Sequence, residues 1–251
     1  MAKAPRIAVA GAGGKLGILL YGMLQRLAQE PVSGIGMPLA ISGTPAGARE
    51  LGRGVYRTFG MAHAPEESVR FVDVASSHSW ALALSTCSVA LLSPSLALER
   101  VQLPPKLLRP FSLTPLHEVE CRLDLDGVGL PSSEYSAAQL QLLAAQLDGA
   151  AAAGVDSVIC VCPMLSEGRR EALSRSILQS RMPSEAISIV GTPAELPPSE
   201  TMGWTYLDEE ESESESDCTS IERFARVAAT AAAASAVTAA KCRAARQRGL
   251  P

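Results

Sequence analysis

The stretch Arg6-Ile-Ala-Val-Ala-Gly-Ala-Gly-Gly-Lys-Leu-Gly17 decides the fold that we predict for this chain. Residues 6–10 form a short, mostly apolar run that is typical of a buried strand, and a glycine-rich turn follows directly. From Leu16 to Leu27 the apolar residues recur at the spacing of one helix face. A strand, a glycine turn and a helix in this order predict that backbone N–H groups at the helix N-terminus can face a pyrophosphate.

The alternation of strand and helix continues through the first 198 residues. The spacing predicts five further strands, at Pro38–Ile41, Val69–Val74, Ser88–Leu92, Asp156–Val161 and Ala186–Val190. Helices are predicted between them, at 45–56, 79–84, 136–153 and 167–179. This order is that of an α/β protein, and we predict a parallel doubly wound (Rossmann) sheet of about six strands.

Two segments interrupt or follow this pattern. Residues 93–133 contain six prolines and no sustained period, so we interpret them as an irregular insertion in a dinucleotide-binding domain of residues 1–198, with a hairpin near Glu118–Leu125. Residues 199–219 are predicted to be an acidic linker, because seven of the ten residues Asp208–Asp217 are acidic.

Residues 220–251 predict a C-terminal Ala-rich helix. Alanine methyl groups bury little area, but their small size lets helices approach closely, so we expect the first half to cover one face of the sheet. The residues expected to face the protein are Val227, Ala231, Ala234 and Val237, with Ile221 and Phe224 as larger anchors. We expect the more basic second half to project towards solvent or a protein partner, with the insertion as a second partner surface.

The composition is that of a globular protein with a sizeable core. Of the 251 residues 47% are hydrophobic, and the net charge of −4 disfavours nucleic acid as a partner. Apolar runs are shorter than the roughly 18–20 residues of a membrane helix, and the first strand begins too early to leave room for a signal or transit peptide. Six cysteines without framework spacing indicate a reduced, soluble intracellular protein, in the cytoplasm or in an organelle matrix or stroma.

A cofactor-binding site is predicted at the glycine turn and at the ends of neighbouring strands. One glycine turns the chain, another lets the backbone approach a pyrophosphate, and a third lets the helix pack on the sheet. The predicted cofactor-binding residues are Gly11, Gly13, Gly14, Lys15, Leu16, Gly17, Ser42 and Ser93. We predict no catalytic residue and no metal ligand, because the three histidines are isolated and the pair Cys160 and Cys162 is assigned to the core.

The end of the second strand bears on the choice of dinucleotide. Sites for NAD carry an Asp or Glu there, whereas this chain has Ser42-Gly43-Thr44. An Arg that could meet a 2′-phosphate is also absent from the strand end, but Lys15 and Arg49 supply positive charge nearby. We therefore expect NAD(P) as the cofactor, with a slight preference for NADP.

Over residues 6–195 the chain resembles malate dehydrogenase. The similar stretches are the glycine turn, Ile41–Leu51, Val161–Pro163 (where that family has Asn-Pro) and Ile187–Thr192. This resemblance implies a dinucleotide-binding fold, but the chain departs from the family in its functional residues. Ser42 replaces the cofactor-binding Asp, and the family's Asp and Arg are absent after Thr192. No histidine follows His117, so hydride transfer to a keto acid would lack its proton donor.

The chain also resembles the NmrA-like atypical short-chain dehydrogenases. Gly11-x-x-Gly14-x-x-Gly17 matches their glycine spacing, and Val72–Val74 resembles their third strand, which implies that Asp73 contacts adenine. Ala152–Val161 resembles their Ser-bearing helix end and strand, and Ile221–Ala225 the start of their last helix. Orthodox short-chain dehydrogenases use a Tyr with a Lys four residues later. None of the four tyrosines here is followed by such a Lys, and Cys162-Pro163 occupies the Ser position.

Two hypotheses remain open at this point. The first is a non-catalytic Rossmann subunit that serves as a scaffold or nucleotide sensor in a larger assembly, which the missing Tyr-Lys pair and downstream His favour. The second is an active NAD(P)-dependent oxidoreductase, either of the atypical short-chain type or similar to malate dehydrogenase. An intact glycine turn is compatible with both.

Overall fold

The computed structural model describes residues 4–43, 45–61, 68–93, 135, 137–193, 204–206 and 220–247. It confirms the predicted α/β fold with a parallel Rossmann-like sheet. The strands are β1 (Ile7–Ala10), β2 (Leu39–Ser42), β3 (Val69–Phe71), β4 (Val89–Leu92), β5 (Ser157–Leu165), β6 (Ile187–Pro193) and β7 (Trp204–Tyr206). The α-helices are α1 (Lys15–Gln29), α2 (Pro45–Phe59), α3 (Ser77–Leu84), α4 (Ala137–Ala153), α5 (Glu167–Gln179) and α6 (Ser220–Gln247).

The strands form one sheet of seven in the order β3-β2-β1-β4-β5-β6-β7, and every neighbouring pair is parallel. From β1 the chain moves outward to β3 on one side. It then crosses back to β4, beside β1, and continues to β7 on the other side. The carboxyl ends of β1 and β4 therefore flank the point where the strand order reverses, which is where doubly wound sheets bind their ligands.

Helices cover both faces of the sheet and form two apolar layers. Successive residues of a strand point to opposite faces, so Ile7 and Val9 join one cluster while Ala8 and Ala10 join the other. The first cluster contains buried residues of α1, α2 and α6, and the second contains those of α3, α4 and α5. Burial on both faces explains why β1, β2 and β4 are buried at every residue.

The predicted element boundaries differ from the observed ones mainly at the strand ends. The third strand ends at Phe71 instead of Val74, since the chain turns after Val72 and the carboxylate of Asp73 accepts a hydrogen bond from the Ala75 N–H at 3.2 Å. β5 continues to Leu165 and β6 to Pro193, where the two strands still pair. α5 has the predicted bounds, and the side-chain oxygen of its N-cap Ser166 accepts a hydrogen bond from the Arg169 N–H.

The seventh strand was not predicted, because Trp204–Tyr206 lies in the segment assigned to the acidic linker 199–219. Three residues are too few to show the alternation that identifies a strand in a sequence. These residues form a strand because they pair with β6, where Ile189, Val190 and Gly191 align with them. The acidic run Asp208–Asp217, the hairpin predicted near Glu118–Leu125 and nearly all of the insertion lie outside the described residues.

α6 covers the sheet as predicted, but it does so with a different face. Ala234 is exposed, Val227, Ala231 and Val237 are half-buried, and Phe224 is buried as expected. The buried face consists of Phe224, Ala225, Ala228, Ala229, Ala232 and Ala236, in the cluster that α6 shares with α1. The second half does not simply project, since the guanidinium of Arg243 pairs with the carboxylate of Asp156 in the turn before β5.

The sequence predicts that no apolar run is long enough to form a membrane-spanning helix. Within the part of the chain that the structure describes, no helix has the length and apolar character needed to cross a bilayer.

Candidate functional site

The glycine turn lies at the carboxyl end of β1, beside the reversal of strand order. Gly11 follows β1 directly and has a φ of +63°, a left-handed conformation that residues with a Cβ rarely adopt. Its carbonyl accepts the Gly14 N–H at 3.0 Å, and the Ala12 N–H donates to the carbonyl of Ile41 at 3.3 Å. The turn is thereby closed on itself and fixed to the end of β2.

Gly14 is the N-cap of α1 and has room for a side chain. Its φ of −78° and ψ of 163° are accessible to any residue, and an added Cβ would meet only the Gly11 carbonyl oxygen, at 3.5 Å. The Gly14 carbonyl accepts the Ile18 N–H at 2.8 Å, which begins the helical ladder. The N–H groups of the first helical turn have no intrahelical acceptor, and no acidic residue lies in that turn. Positive potential from the helix dipole is therefore available to an anion.

Gly17 and Gly13 are glycines because their surroundings are closed. A Cβ on Gly17 would lie 2.3 Å from the carbonyl oxygen of Gly11, so the first turn of α1 packs directly on the glycine turn. A Cβ on Gly13 would lie 2.5 Å from the Cα and carbonyl oxygen of Gly47. The second contact, between the turn and the start of α2, was not predicted because it joins two elements. Gly47 follows Gly43 by four residues, but this spacing alone does not indicate a contact.

The two remaining residues of the predicted turn differ in role. Leu16 is 4% exposed and belongs to the core cluster, so only its backbone is placed to meet a ligand. Lys15 is the first residue of α1, and its side chain lies outside what the structure describes.

The two predicted serines lie at the same edge of the sheet as the glycine turn. Ser42 is the last residue of β2, and Ser93 follows the last residue of β4. Both are buried, at 1% and 0% exposure, and the Ser42 carbonyl accepts the Val72 N–H at 3.1 Å. The sheet thus brings Ser42, Ser93 and the glycine turn to the carboxyl ends of three adjacent strands, while Arg49 is exposed on α2.

Asp73 is exposed beyond the end of β3, on the side of β2 away from β1. Its backbone N–H donates to the Ser79 hydroxyl at 3.0 Å, and its carboxylate accepts the Ala75 N–H. These bonds hold the carboxylate at the carboxyl edge of the sheet, at the start of the turn into α3.

A second group of polar side chains lies at the carboxyl end of β5. Cys160 and Cys162 are fully buried on one face of the strand, as predicted, and both are free thiols. Burial raises the pKa of the Cys162 thiol to about 12, although the nearby Tyr135 hydroxyl and Arg169 guanidinium act in the opposite direction. Burial likewise raises the pKa of Tyr135, and the Arg169 guanidinium carbon lies 5.1 Å from the centre of its ring.

This second group does not have the properties of an activated catalytic set. A thiol with a raised pKa stays protonated at neutral pH, and the thiolate is the nucleophilic form. Tyr135 precedes α4 and is buried, and the residue four positions after it is Gln139 and not a Lys. Among the described residues no group of three or more His, Cys, Asp or Glu side chains could hold a metal ion.

Comparisons with known proteins give structural similarities only. No family model matches the chain, and no curated protein sequence matches it. A crystal structure of an NADPH-dependent quinone oxidoreductase from Escherichia coli aligns over 74% of this chain and 46% of its own, with 17% identity and a TM-score of 0.39. The triphenylmethane reductase of a Citrobacter species, in complex with NADP(H), aligns over 74% and 48%, with 18% identity and a TM-score of 0.40.

This chain therefore spans less than half the length of either of those two proteins. A metagenomic short-chain oxidoreductase in complex with NADP aligns over 91% of this chain and 90% of its own, with 15% identity and a TM-score of 0.38. None of the three is a malate dehydrogenase. The strand order of this chain establishes its fold independently of these similarities.

Proposed function

We propose that this chain binds a nicotinamide dinucleotide at the glycine turn, with NADP(H) preferred over NAD(H), and serves as a non-catalytic subunit of a larger assembly. The single observation that carries the binding proposal is the geometry of Gly14. It caps α1 at the reversal of strand order, has room for a side chain, and precedes helical N–H groups without intrahelical acceptors. A pyrophosphate placed there would receive backbone hydrogen bonds and the helix dipole together.

The residues around the turn support this placement. Gly13, Lys15, Leu16 and Gly17 would offer backbone N–H groups or close approach, while Ser42 and Ser93 line the adjoining strand ends. When bound, the dinucleotide would supply hydride chemistry. The chain's own contribution would be to hold the pyrophosphate and to orient the two nucleosides on either side of β1.

The preference for NADP(H) follows from charge. The carboxylate that would repel a 2′-phosphate is replaced by Ser42 at the end of β2. The first turn of α2, like that of α1, contains no acidic residue. The contact between Gly13 and Gly47 brings that turn next to the glycine turn. A 2′-phosphate at the end of β2 would therefore meet positive potential. Lys15 in the glycine turn and Arg49 on α2 are the cationic residues that the sequence provides for this charge.

The residues found at the catalytic positions of short-chain dehydrogenases support the non-catalytic assignment. Cys162 occupies the place of the Ser, and its buried thiol is held protonated. The sequence has no Tyr followed by a Lys at the fourth position. The insertion and the second half of the C-terminal helix α6 remain the proposed surfaces for protein partners.

Binding is tested by titrating the full chain with NADPH and with NADH, using calorimetry and thermal denaturation. We expect NADPH to bind more tightly and to raise the melting temperature, because a ligand that binds only the folded state stabilises it by mass action. Gly14→Leu should abolish this shift while lowering the melting temperature of the free chain by no more than a few degrees, because leucine is disfavoured relative to glycine at an N-cap. Unchanged affinity in Gly14→Leu would contradict the site, and a clear preference for NADH would contradict the choice of cofactor.

The active-enzyme alternative is tested on the same NADPH-loaded chain. We expect no oxidation of NADPH when a panel of quinones, aldehydes and ketones is added. Sustained turnover with any of them, lost in Gly14→Leu, would replace the non-catalytic assignment by that of a reductase.

A further inference from the structure

We infer that the outer face of α2 binds the acidic run Asp208–Asp217 of a second copy of this chain. Arg49, Arg53 and Arg57 of α2 are exposed, and they follow one another at intervals of four residues. Side chains with this spacing are neighbours on a helix surface, so the three guanidinium groups form one row. We refer to these three residues as the arginine row. It concentrates positive charge on one face of a chain whose net charge is −4.

The arginine row is only weakly compensated within α2. Glu50 is the one acidic residue of this helix, and its carboxylate lies 3.2 Å from a guanidinium nitrogen of Arg53. The two side chains are 58% and 66% exposed, and an ion pair so open to solvent is weak. Within the described residues no ion pair involves Arg49 or Arg57. A guanidinium has five N–H donors, so Arg53 can bind a second carboxylate as well.

The acids of the run have a spacing that fits this row. Glu211, Glu213, Glu215 and Asp217 alternate with serines. In an extended chain such alternate side chains point to one side, at intervals of about 6.4–6.8 Å. Four residues of an α-helix rise by about 6.0 Å, which is the interval between successive arginines of the row. Three successive alternate carboxylates can therefore each meet one guanidinium, and the long arginine side chains absorb the small difference.

The acidic run of the same chain is too short to lie along the row from its β7 end. Any three successive alternate carboxylates include Glu211 or Asp217. Glu211 follows Tyr206, the last residue of β7, by five residues, which span at most about 18 Å. β7 lies five strands away from β2, the strand that leads into α2, which is a distance of about 24 Å. The exposed face of α2 is farther still.

The other end of the run sets the same limit. Asp217 precedes Ser220, the first residue of α6, by three residues, which span at most about 11 Å. α1 packs against both α6 and α2, so the axes of α6 and α2 are two helix spacings, or about 16–20 Å, apart. A second copy carries no such tether and can lay its run along the whole row.

The contact can be made in both directions at once. Each copy has one arginine row and one acidic run, so two copies that exchange their runs form a closed pair. Exposed ion pairs are individually weak, but the second exchange is intramolecular once the first has formed, which strengthens the whole. Because the charges are exposed, salt should weaken the association.

Cross-linking locates the contact and identifies the copy that supplies the run. Arg57→Lys keeps the charge of the row and adds a primary amine, which a carbodiimide joins to a carboxylate in contact with it. In an equimolar mixture of full chains made with light and with heavy nitrogen, we expect cross-links from position 57 to the acidic run, including links between light and heavy chains. Lys241, an exposed lysine on α6, is the control in the same sample and should give few such links.

Reversal of the charges measures how much the row contributes. Arg53→Glu combined with Arg57→Glu should weaken association of the full chain at low salt at least about tenfold, because like charges then face each other. Sedimentation velocity measures the association, and circular dichroism checks that the variant is folded. The matched control is Lys241→Glu combined with Arg246→Glu, which changes the net charge equally at exposed positions of α6 and should leave the association unchanged.

Reversal of both partners tests the pairing itself. When Glu213→Arg and Glu215→Arg are added to the chain with the reversed row, opposite charges face each other again and the association should return. Arg53 and Arg57 lie outside the proposed dinucleotide site, so a failure of this inference leaves the NADPH titration as a separate test of that proposal.

Four results would overturn the inference. Cross-links from position 57 that never join light to heavy chains would assign the contact to the run of the same chain. Links to the run from Lys241 in place of position 57 would move the contact to α6. Association that tolerates the reversed row would place the contact elsewhere on the surface. Association that the reversed row abolishes and the reversed run fails to restore would refute the pairing of the two segments.

Discussion

At the scale of single residues, the glycines of the turn are constrained for different reasons. Gly11 needs its positive φ, whereas Gly13 and Gly17 are in backbone contact with other segments. Gly14 has ordinary backbone angles, and a Cβ there would make only an ordinary contact, with the Gly11 carbonyl oxygen at 3.5 Å. The same residue type is thus required for conformation, for packing and for access, and a substitution series can separate these roles.

Gly17→Ala should lower the free energy of unfolding by about 1–3 kcal/mol, because its methyl group would lie 2.3 Å from the Gly11 carbonyl oxygen. Gly14→Ser should change it by no more than about 0.5 kcal/mol, because serine is favoured at an N-cap. Urea denaturation of both variants measures the difference. Equal destabilisation would show that the first turn of α1 does not pack on the glycine turn as described.

The buried thiol of Cys162 predicts a dependence of stability on alkaline pH. Burial raises its pKa from 9.0 to about 12 in the folded chain, so the unfolded chain releases this proton first. The stabilising contribution is therefore complete below pH 9 and declines as the pH rises towards about 12. Cys162→Ala should flatten this decline in urea denaturation series at increasing pH. An identical decline in the variant would assign it to other groups.

Most residues of the candidate site were predictable because they follow strand ends, which the hydrophobic pattern marks. Ser42 and Ser93 are examples, since parallel strands bring their carboxyl ends to one edge. Gly47 was not predictable, because its contact with Gly13 depends on how α2 leans on the turn. The proximity of Tyr135 and Arg169 to Cys162 likewise joins residues from separate elements.

At the scale of elements, α6 shows that hydrophobic periodicity does not identify the buried face of an alanine-rich helix. The positions expected to be buried included Ala234, yet the buried face contains Ala232 and Ala236. In a helix composed mostly of alanine, several faces have nearly the same hydrophobicity, and packing against α1 selects one of them. The two larger landmarks, Val227 and Val237, are both half-buried at its borders.

A matched pair of substitutions tests this orientation of α6. Ala232→Leu should lower the free energy of unfolding by about 1–3 kcal/mol, because the side chain is fully buried in the core cluster and larger side chains overpack such positions. Ala234→Leu adds the same atoms to an exposed position two residues away and should change it by less than about 0.5 kcal/mol. If Ala234→Leu is the more destabilising of the two in thermal or urea denaturation, the buried face is the one predicted from the sequence.

At the scale of the whole molecule, the sheet is strongest at its centre. β1 and β4 are buried throughout and paired on both sides, whereas β3 is a short edge strand with Arg70 and Phe71 exposed. Opening β3 exposes little apolar surface, but opening β1 disrupts both clusters. Local stability should therefore fall from the centre of the sheet towards β3.

Native-state hydrogen exchange measures this gradient. Amides of β1 and β4 should exchange only through global unfolding, with free energies that follow the urea-derived value. Amides of β3 should exchange through local opening, with a smaller denaturant dependence. Uniform protection of all three strands would show that the sheet opens as a single cooperative unit.

The packing of α6 on α1 has a consequence for synthesis of the chain. About 200 residues separate the two helices, so at roughly 5–20 residues per second the ribosome needs on the order of 10–40 s to deliver α6 after α1 has emerged. Throughout that interval the apolar surface of α1 that α6 later covers is open to solvent. The nascent chain therefore presents this surface to chaperones. The surface is covered only when Ala236, in the buried face of α6, has left the exit tunnel.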